Sequence, residues 1–299
     1  MRIPIVLDTD PGVDDFFCLA VVCAYDRVID LRAVTAMGGN HSEEITTRNA
    51  IDILSLLGKN VPVAKGSSSY LKEAYGEPVF DHHGRNGIGD VVIPRSGGKA
   101  DHLAAWDRLY EAACGADGGL VLLTVAPLTN IARALIKYPD LPGKIRKVVM
   151  MGGTLGKGNV TPYAEANVGH DPYAAEILFE SGIPVDMVGL DITMTCPMPR
   201  EVFDPMAAEA REDVRSALQG LIDFRRGEPM HDAVAAASLI DPDMLTWKTG
   251  SLKVITDDAE RLGQTVFEEQ ADGRFRVACG VDLSRYYKVI GGMLEAYRA

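Results

Sequence analysis

The stretch "IPIVLDTDPGVDDFFCLAVVCAY", residues 3–25, holds a short apolar run, a turn and a longer apolar segment in that order. Residues 3–7 are apolar at consecutive positions, so both faces of a strand there would be buried, as in a parallel sheet. Pro11-Gly12 turns the chain. The segment from Asp14 to Tyr25 is long enough for a helix. Four carboxylates, Asp8, Asp10, Asp14 and Asp15, fall within eight positions around this turn. In a strand, residues two apart share a face, so Asp8 and Asp10 are expected to project together at its end. Asp14 and Asp15 then lie in the first turn of the helix.

The same order recurs outward along the chain. "IDLRAVTA" (29–36) reads as a strand and "SEEITTRNAIDILSLLG" (42–58) as a helix, opened by a Ser cap and closed at Gly58. "GLVLLTVA" (119–126), "IRKVVMMGG" (145–153) and "IPVDMVGLDIT" (183–193) read as buried strands, each followed by a loop and a helix-like stretch. Alternation of this kind predicts an α/β fold, a mostly parallel central sheet with helices on both faces. Near the C-terminus, "SLKVIT" (251–256), "QTVFEE" (264–269) and "RFRVACGV" (274–281) predict a small antiparallel addition, closed by a helix at 282–297. No internal repeat interrupts this order, and residues 1–299 read as a single domain. The Gly-, Ser-, Pro- and His-rich stretch 66–100 is the longest without periodicity, and such loops are usually functional.

Composition narrows the function. The 299 residues are 47% hydrophobic with a formal net charge of −12. No basic run or aromatic-interleaved Lys/Arg patch argues for nucleic acid. Five cysteines, Cys18, Cys23, Cys114, Cys196 and Cys279, lack CxxC spacing and read as reduced thiols, not as a zinc or redox site. Only about five apolar residues precede Asp8, too few for a signal-peptide core, and no run nears the ~20 needed to span a membrane. A cytoplasmic location without membrane partners is the expectation.

The acids carry the chemistry. Like charges this dense repel unless a cation sits among them, and hard oxygen donors suit Ca²⁺ or Mg²⁺. A turn residue and a helix-dipole partner would account for two of the acids, not four. Ligands in open α/β sheets bind at the carboxyl ends of strands, where these residues fall. "HHGRNGIGD" (82–90), "GNVTPYAEANVGHDP" (158–172) and "MHDAVAAA" (230–237) bring imidazoles, amides and carboxylates to other strand ends. Each alone has a structural reading, as a cap, a solvated acid or a helix start. Together they predict a polyol-binding pocket.

With these motifs in hand, the sequence resembles the inosine-uridine-preferring nucleoside hydrolases, from the first strand to at least residue 242. The motifs that carry the resemblance are "DTDPGVDD" (8–15), "GGNHSEEITTRNA" (38–50), "HGRNGIGD" (83–90), "APLTNIARAL" (126–135), "VVMMGGTLGKGNVTPYAEANVGHDP" (148–172) and "HDAVAAASLIDP" (231–242), in order. The resemblance implies a Ca²⁺-dependent hydrolase that cleaves the N-glycosidic bond of ribonucleosides into ribose and free base, serving nucleobase salvage. It implies Ca²⁺ ligands at Asp10, Asp15 and Asp232 and at the main-chain carbonyl of Val125. Ribose contacts are implied at Asp14, Asn40, Asn159, Glu165 and Asn167, with Asp8 supporting the site from behind. His83 and His231 are implied near the base. Asp10 would activate a metal-bound water, and His231 would protonate the departing base. A homo-oligomer, dimer or tetramer, is also implied.

Two departures concern the base. Members that take inosine and uridine often place an aromatic residue where this chain has Ala166. The segment "LIDFRRGEPMHD" (221–232) is also shorter than the tyrosine-bearing segment of many members, which leaves Phe224 and Tyr163 as candidates to cover the base. His231 points to the histidine-bearing branch of the family. Trp106 and Trp247 fall outside the motifs. Two rival readings remain. One is a riboside-binding protein that keeps the Ca²⁺ site with little turnover. The other is a Mg²⁺ phosphohydrolase of haloacid dehalogenase type with Asp8 and Asp10 as its DxD pair, which leaves Asp14, Asp15 and the later motifs unused.

Overall fold

A computed structural model describes residues 2–73 and 80–299. Along the chain, β1 (Ile3–Thr9) leads to α1 (Val13–Ala24), β2 (Ile29–Ala36) to α2 (Glu43–Leu56), and β3 (Val63–Lys65) to the short α3 (Phe80–His83) and α4 (Ala105–Cys114). Then follow β4 (Leu120–Thr124), α5 (Thr129–Lys137), β5 (Ile145–Met151), α6 (Ala166–His170), α7 (Pro172–Glu180), β6 (Val185–Val188) and α8 (Leu190–Thr193). The chain closes with α9 (Arg200–Ala208), α10 (Glu212–Arg225), α11 (His231–Ile240), β7 (Leu245–Val254), β8 (Thr265–Glu269), β9 (Phe275–Val281) and α12 (Leu283–Ala296).

The nine strands of the described residues form one sheet in the order β3-β2-β1-β4-β5-β6-β9-β7-β8. Pairs from β3 through β9 are parallel, while β7 runs antiparallel to both β9 and β8. The reversed part is therefore a single strand inserted between two that follow the main direction. Its start at Leu245 precedes the run expected from residue 251.

Both sheet faces are covered, and strand alternation sorts the core into two layers. Ile5, Leu7, Val121, Leu123, Val149 and Met151 pack with α1, α2, α11 and α12, whereas Val6, Leu120, Leu122, Val148 and Met150 pack with α4, α5 and α7. Consecutive apolar residues are thus required at β1, β4 and β5. Each fully buried Leu or Val there contributes about 1.5–3 kcal/mol. Cys18, Cys23 and Cys196 are buried free thiols. No described helix is long and apolar enough to cross a membrane.

Strand order reverses at β1. The chain moves from β1 outward to β2 and β3 on one side, then returns to place β4 on the other. The loops after β1 and β4 splay apart at such a switch point and leave a crevice beyond the strand ends. Asp10, Pro11 and Gly12 lie there, and so does Val125, whose N–H donates to the Asp8 carbonyl at 2.9 Å.

Candidate active site

Asp8 and Asp10, two residues apart, find different partners. Asp8 is still in β1, opposite Thr35 and Thr124 on the neighbouring strands. Its Oδ1 accepts from the Thr35 hydroxyl at 2.5 Å and from Asn130 Nδ2 of α5 at 2.9 Å. It lies behind the crevice, fully buried, and burial raises its pKa to about 7 against those two hydrogen bonds. Asp10 has left the strand. Its Oδ2 accepts from the Asn40 N–H at 2.8 Å, and its buried Oδ1 has no hydrogen-bond partner among the described residues.

α1 begins at Gly12, and Asp15 closes its first turn by accepting the Gly12 N–H at 2.8 Å. The helix-start role weighed for this acid is therefore real, but it leaves the carboxylate with further work. Asp15 also accepts from the Thr9 hydroxyl, the Asp10 N–H and Asn40 Nδ2. Carboxylate oxygens of Asp14, Asp15 and Asp232, the last from the start of α11, lie within 4.8 Å of one another. All three are buried. Asp14, read in the sequence as one of the clustered acids and given by the resemblance to the sugar, is part of this acid group.

Electrostatics divides these acids. Burial, then the charges of Asp15 and Asp14, push Asp10 well above the usual carboxylate range, with Asn40 opposing. Asp15 rises to about 7 through burial and the charge of Asp14. Asp232 is driven well up by burial and by Asp14, Asp15 and Asp10. Burial works on Asp14 as well, but the Arg225 guanidinium, His83 and His231 outweigh it, and its pKa falls below 3.8. Carboxylates this repulsive, with oxygens left over, are a donor set that a hard divalent cation would satisfy.

The imidazoles enter from two sides. His83, at the end of α3, accepts the Val13 N–H through Nδ1 at 3.3 Å. Its ring proton therefore sits on Nε2. Burial, opposed by Asp14, lowers its pKa to about 4, so the ring is neutral at physiological pH. The loop after it is built around Asn86, which accepts from the Ile88 and Asp90 N–H groups and donates to the Val91 carbonyl. Asn49 of α2 ties that loop to the chain at Asn86, so part of the aperiodic stretch is ordered against the site. His231 heads α11 with Nδ1 2.8 Å from Thr193 Oγ1, and burial lowers its pKa.

The expected ribose residues are wired into their own loop. Glu165, buried and with a pKa raised by burial, caps α6. It accepts N–H groups from Gly153 at 2.7 Å, Asn167 at 3.0 Å and Val168 at 3.3 Å. Asn159 Oδ1 accepts the Ala166 N–H at 2.9 Å, and Asn167 Nδ2 donates to the Met151 carbonyl at 3.1 Å. Asn40 Nδ2 donates to the Asp10 carbonyl at 3.1 Å as well as to Asp15. Each of the two aromatic candidates for the base has a partner within the fold. A Cβ on Gly89 would stand 2.9 Å from Phe224 Cγ, so that ring packs on the glycine loop, and the Tyr163 hydroxyl reaches Glu260 at 3.4 Å.

Sequence reading missed Arg225, Thr193 and Asn130. Arg225 is only 7% exposed, donates to the Pro229 carbonyl at 2.6 Å, and keeps an unpartnered Nε among the described residues. In "FRRGE" it looks like a solvated charge, and only its burial distinguishes it from Arg226.

Comparison with known proteins identifies the family of the chain. The family model described as inosine-uridine preferring nucleoside hydrolase matches residues 5–288, which takes in the motifs up to residue 242 and continues through most of the remaining chain. The chain is 32% identical to the pyrimidine-specific ribonucleoside hydrolase RihA of Escherichia coli O81 (strain ED1a), covering 90% of this chain and 89% of that protein. It is 34% identical to the non-specific ribonucleoside hydrolase RihC of Shigella flexneri, over the same shares of the two chains. Among solved structures, the purine-preferring ribonucleoside hydrolase from Gardnerella vaginalis superposes with a TM-score of 0.90 at 32% identity, covering 97% of this chain and 98% of that one. The chain therefore belongs to the inosine-uridine preferring nucleoside hydrolase family and is an enzyme of ribonucleoside hydrolysis.

Proposed function

We propose that this enzyme hydrolyses the N-glycosidic bond of ribonucleosides with Ca²⁺ held by Asp10, Asp15, Asp232 and the Val125 carbonyl. The observation that carries the reading is the buried group of mutually repelling carboxylates at the strand switch point, with Asp10 Oδ1 without a hydrogen-bond partner among the described residues. Held by these residues, Ca²⁺ would supply positive charge that balances the acids and would make a neighbouring water more acidic. Asp10 takes a proton from the attacking water as the water oxygen bonds to C1′. The C1′–N bond breaks with its electron pair going to the base, and His231 gives the base nitrogen a proton. Positive charge develops on the sugar, as in O-glycoside hydrolysis, and Asp14 remains ionised to stabilise it. Glu165, Asn159 and Asn167 keep the sugar loop in shape and offer their remaining lone pairs and donors to hydroxyls.

The test is sugar release from inosine, adenosine, guanosine, uridine, cytidine and a nitrophenyl riboside, with and without a calcium chelator. Chelator-sensitive release is the expected result. Binding of a nucleoside without release would replace this reading by the binding-only one. If Asp14 holds the ribose 2′-hydroxyl, deoxyinosine is expected to react roughly 10- to 100-fold more slowly than inosine. Equal rates would remove that grip.

Metal binding also has a pH signature. Asp8 stands at about 7 in the fold against 3.8 ordinarily. A group raised in this way supports folding fully below about pH 4 and loses that support as pH rises through about 7. For Asp8 the difference is on the order of 4 kcal/mol. Asp15 follows the same course, to about 7. The metal-free protein should therefore lose stability across this window, and added Ca²⁺ should raise Tm far more near pH 8 than near pH 5. Equal thermal shifts at both pH values would count against a cation among these acids.

A further inference from the structure

The stretch expected as strand to residue 193 ends as β6 at Val188. Gly189 then starts α8, whose last residue, Thr193, is fully buried. This turn brings the Thr193 hydroxyl to 2.8 Å from His231 Nδ1. We propose that Thr193 is the positioning residue of the leaving-group step, its hydroxyl accepting the His231 Nδ1–H and leaving Nε2 to exchange a proton with the base. The inference rests on His231 being the proton donor.

Three observations support the direction of that hydrogen bond and the rigidity behind it. The Thr193 hydroxyl has an acceptor of its own, the Leu190 carbonyl one turn back, at 3.5 Å. With its proton so placed, the Thr193 oxygen is free to accept. α8 is itself fastened to the sugar loop, because the Leu190 N–H donates to the Gly153 carbonyl at 2.9 Å and Asp191 accepts the Leu155 N–H at 2.7 Å. From the other side, Arg225 donates to the Pro229 carbonyl and steadies the turn that delivers His231.

The consequence for proton transfer is specific. The imidazolium holds Thr193 through Nδ1–H and gives up the proton on Nε2. The Nε2–H bond breaks, its electron pair stays on the ring, and the proton joins the base nitrogen that has taken the C1′–N pair. The neutral ring that remains is the Nδ1–H tautomer, which Thr193 already accepts, so the ring need not turn. A hydroxyl that only closed the end of α8 would carry no such preference.

The experiment compares Thr193→Val, Thr193→Ser and His231→Ala on inosine, uridine and a nitrophenyl riboside, with saturating Ca²⁺ and thermal unfolding as a check on folding. A nitrophenolate departs without a proton, so only donor-linked losses separate the substrates. Thr193→Val is expected to lose about 10- to 100-fold in kcat/KM on the nucleosides and under about 3-fold on the nitrophenyl riboside. Thr193→Ser, which keeps the hydroxyl, should stay within about 3-fold on all three. His231→Ala should show the valine pattern with larger losses. Equal losses by Thr193→Val on both substrate classes, with His231→Ala still discriminating, would overturn the role of Thr193 alone. Equal losses by His231→Ala would overturn the donor reading and Thr193 with it. Should the valine variant not fold, Thr193→Ala removes the same hydroxyl and is read in the same way.

Discussion

Asp10→Asn is expected to lose about 10³–10⁴-fold in kcat while folding normally, the upper range for removal of a general base. The substitution is isosteric, and the new amide oxygen can still accept the Asn40 N–H that Oδ2 now takes at 2.8 Å. What disappears is the second oxygen, Oδ1, buried and without a partner among the described residues. In its place stands an NH₂ group, which cannot take a proton from water and sets donors against a cation. The same change removes one charge from a group in which Asp10 helps to push Asp232 upward. The metal-free variant should therefore be more stable than the metal-free parent near pH 8, the opposite of the usual effect of altering a buried polar residue. Circular dichroism, thermal unfolding and steady-state rates with inosine or uridine measure both parts. A folded variant within about tenfold of the parent in kcat would take the base role from Asp10.

This double effect bears on what a sequence reveals. The parallel sheet was legible because its strands are buried on both faces, and a run such as "VLL" has no other economical explanation. Misreadings came where that signal continues past the strand. "IPVDMVGLDIT" is mostly apolar on both sides of Gly189, with Asp186 and Asp191 as its two charges, so hydropathy does not separate β6 from α8. β7 begins with "LTWKTG", whose mixed exposure hides its first half.

The acids were legible as a group and less so as individuals. Period-two spacing put Asp8 and Asp10 on one face, which holds only while both belong to the strand. β1 ends at Thr9, so Asp8 turns back to Thr35 and Asn130 while Asp10 goes forward to Asn40. Residues that act by being buried left no mark at all. Arg225 lowers the pKa of Asp14 from a stretch that reads as solvated charge, and Thr193 meets His231 from a segment read as strand. Sugar-loop residues show the converse. Asn159 and Glu165 stood out as ligands, yet each first satisfies backbone N–H groups of its own loop. A polar residue in a motif can build the site and serve it at once.

Gly12 is where building and serving meet most tightly, and Gly12→Ala is expected to cost about 10²-fold in kcat/KM, the penalty of displacing a reacting group by about 1 Å. Its φ of −106° suits any residue, so no backbone strain opposes alanine, and the poorer N-cap that alanine makes costs roughly 0.5–1 kcal/mol of folding stability. The obstacle is space. A Cβ there would stand 2.3 Å from His83 Nδ1 and 2.6 Å from Asn40 Nδ2. Neither side chain is free to swing away without loss. His83 Nδ1 holds the first N–H of α1, and Asn40 Nδ2 spans the Asp10 carbonyl and Asp15. Shifting them loosens the imidazole on one side and the acid group on the other, so Ca²⁺ affinity and turnover should fall together. Calorimetric titration with Ca²⁺ and kcat/KM on inosine and the nitrophenyl riboside read the two effects, with circular dichroism to confirm folding. Because the damage precedes the leaving-group step, both substrates should suffer alike, unlike the pattern expected from Thr193→Val. Parental affinity and parental kcat/KM in a folded Gly12→Ala protein would mean that His83 and Asn40 can move at no cost, and that their tight packing around Gly12 serves the fold only.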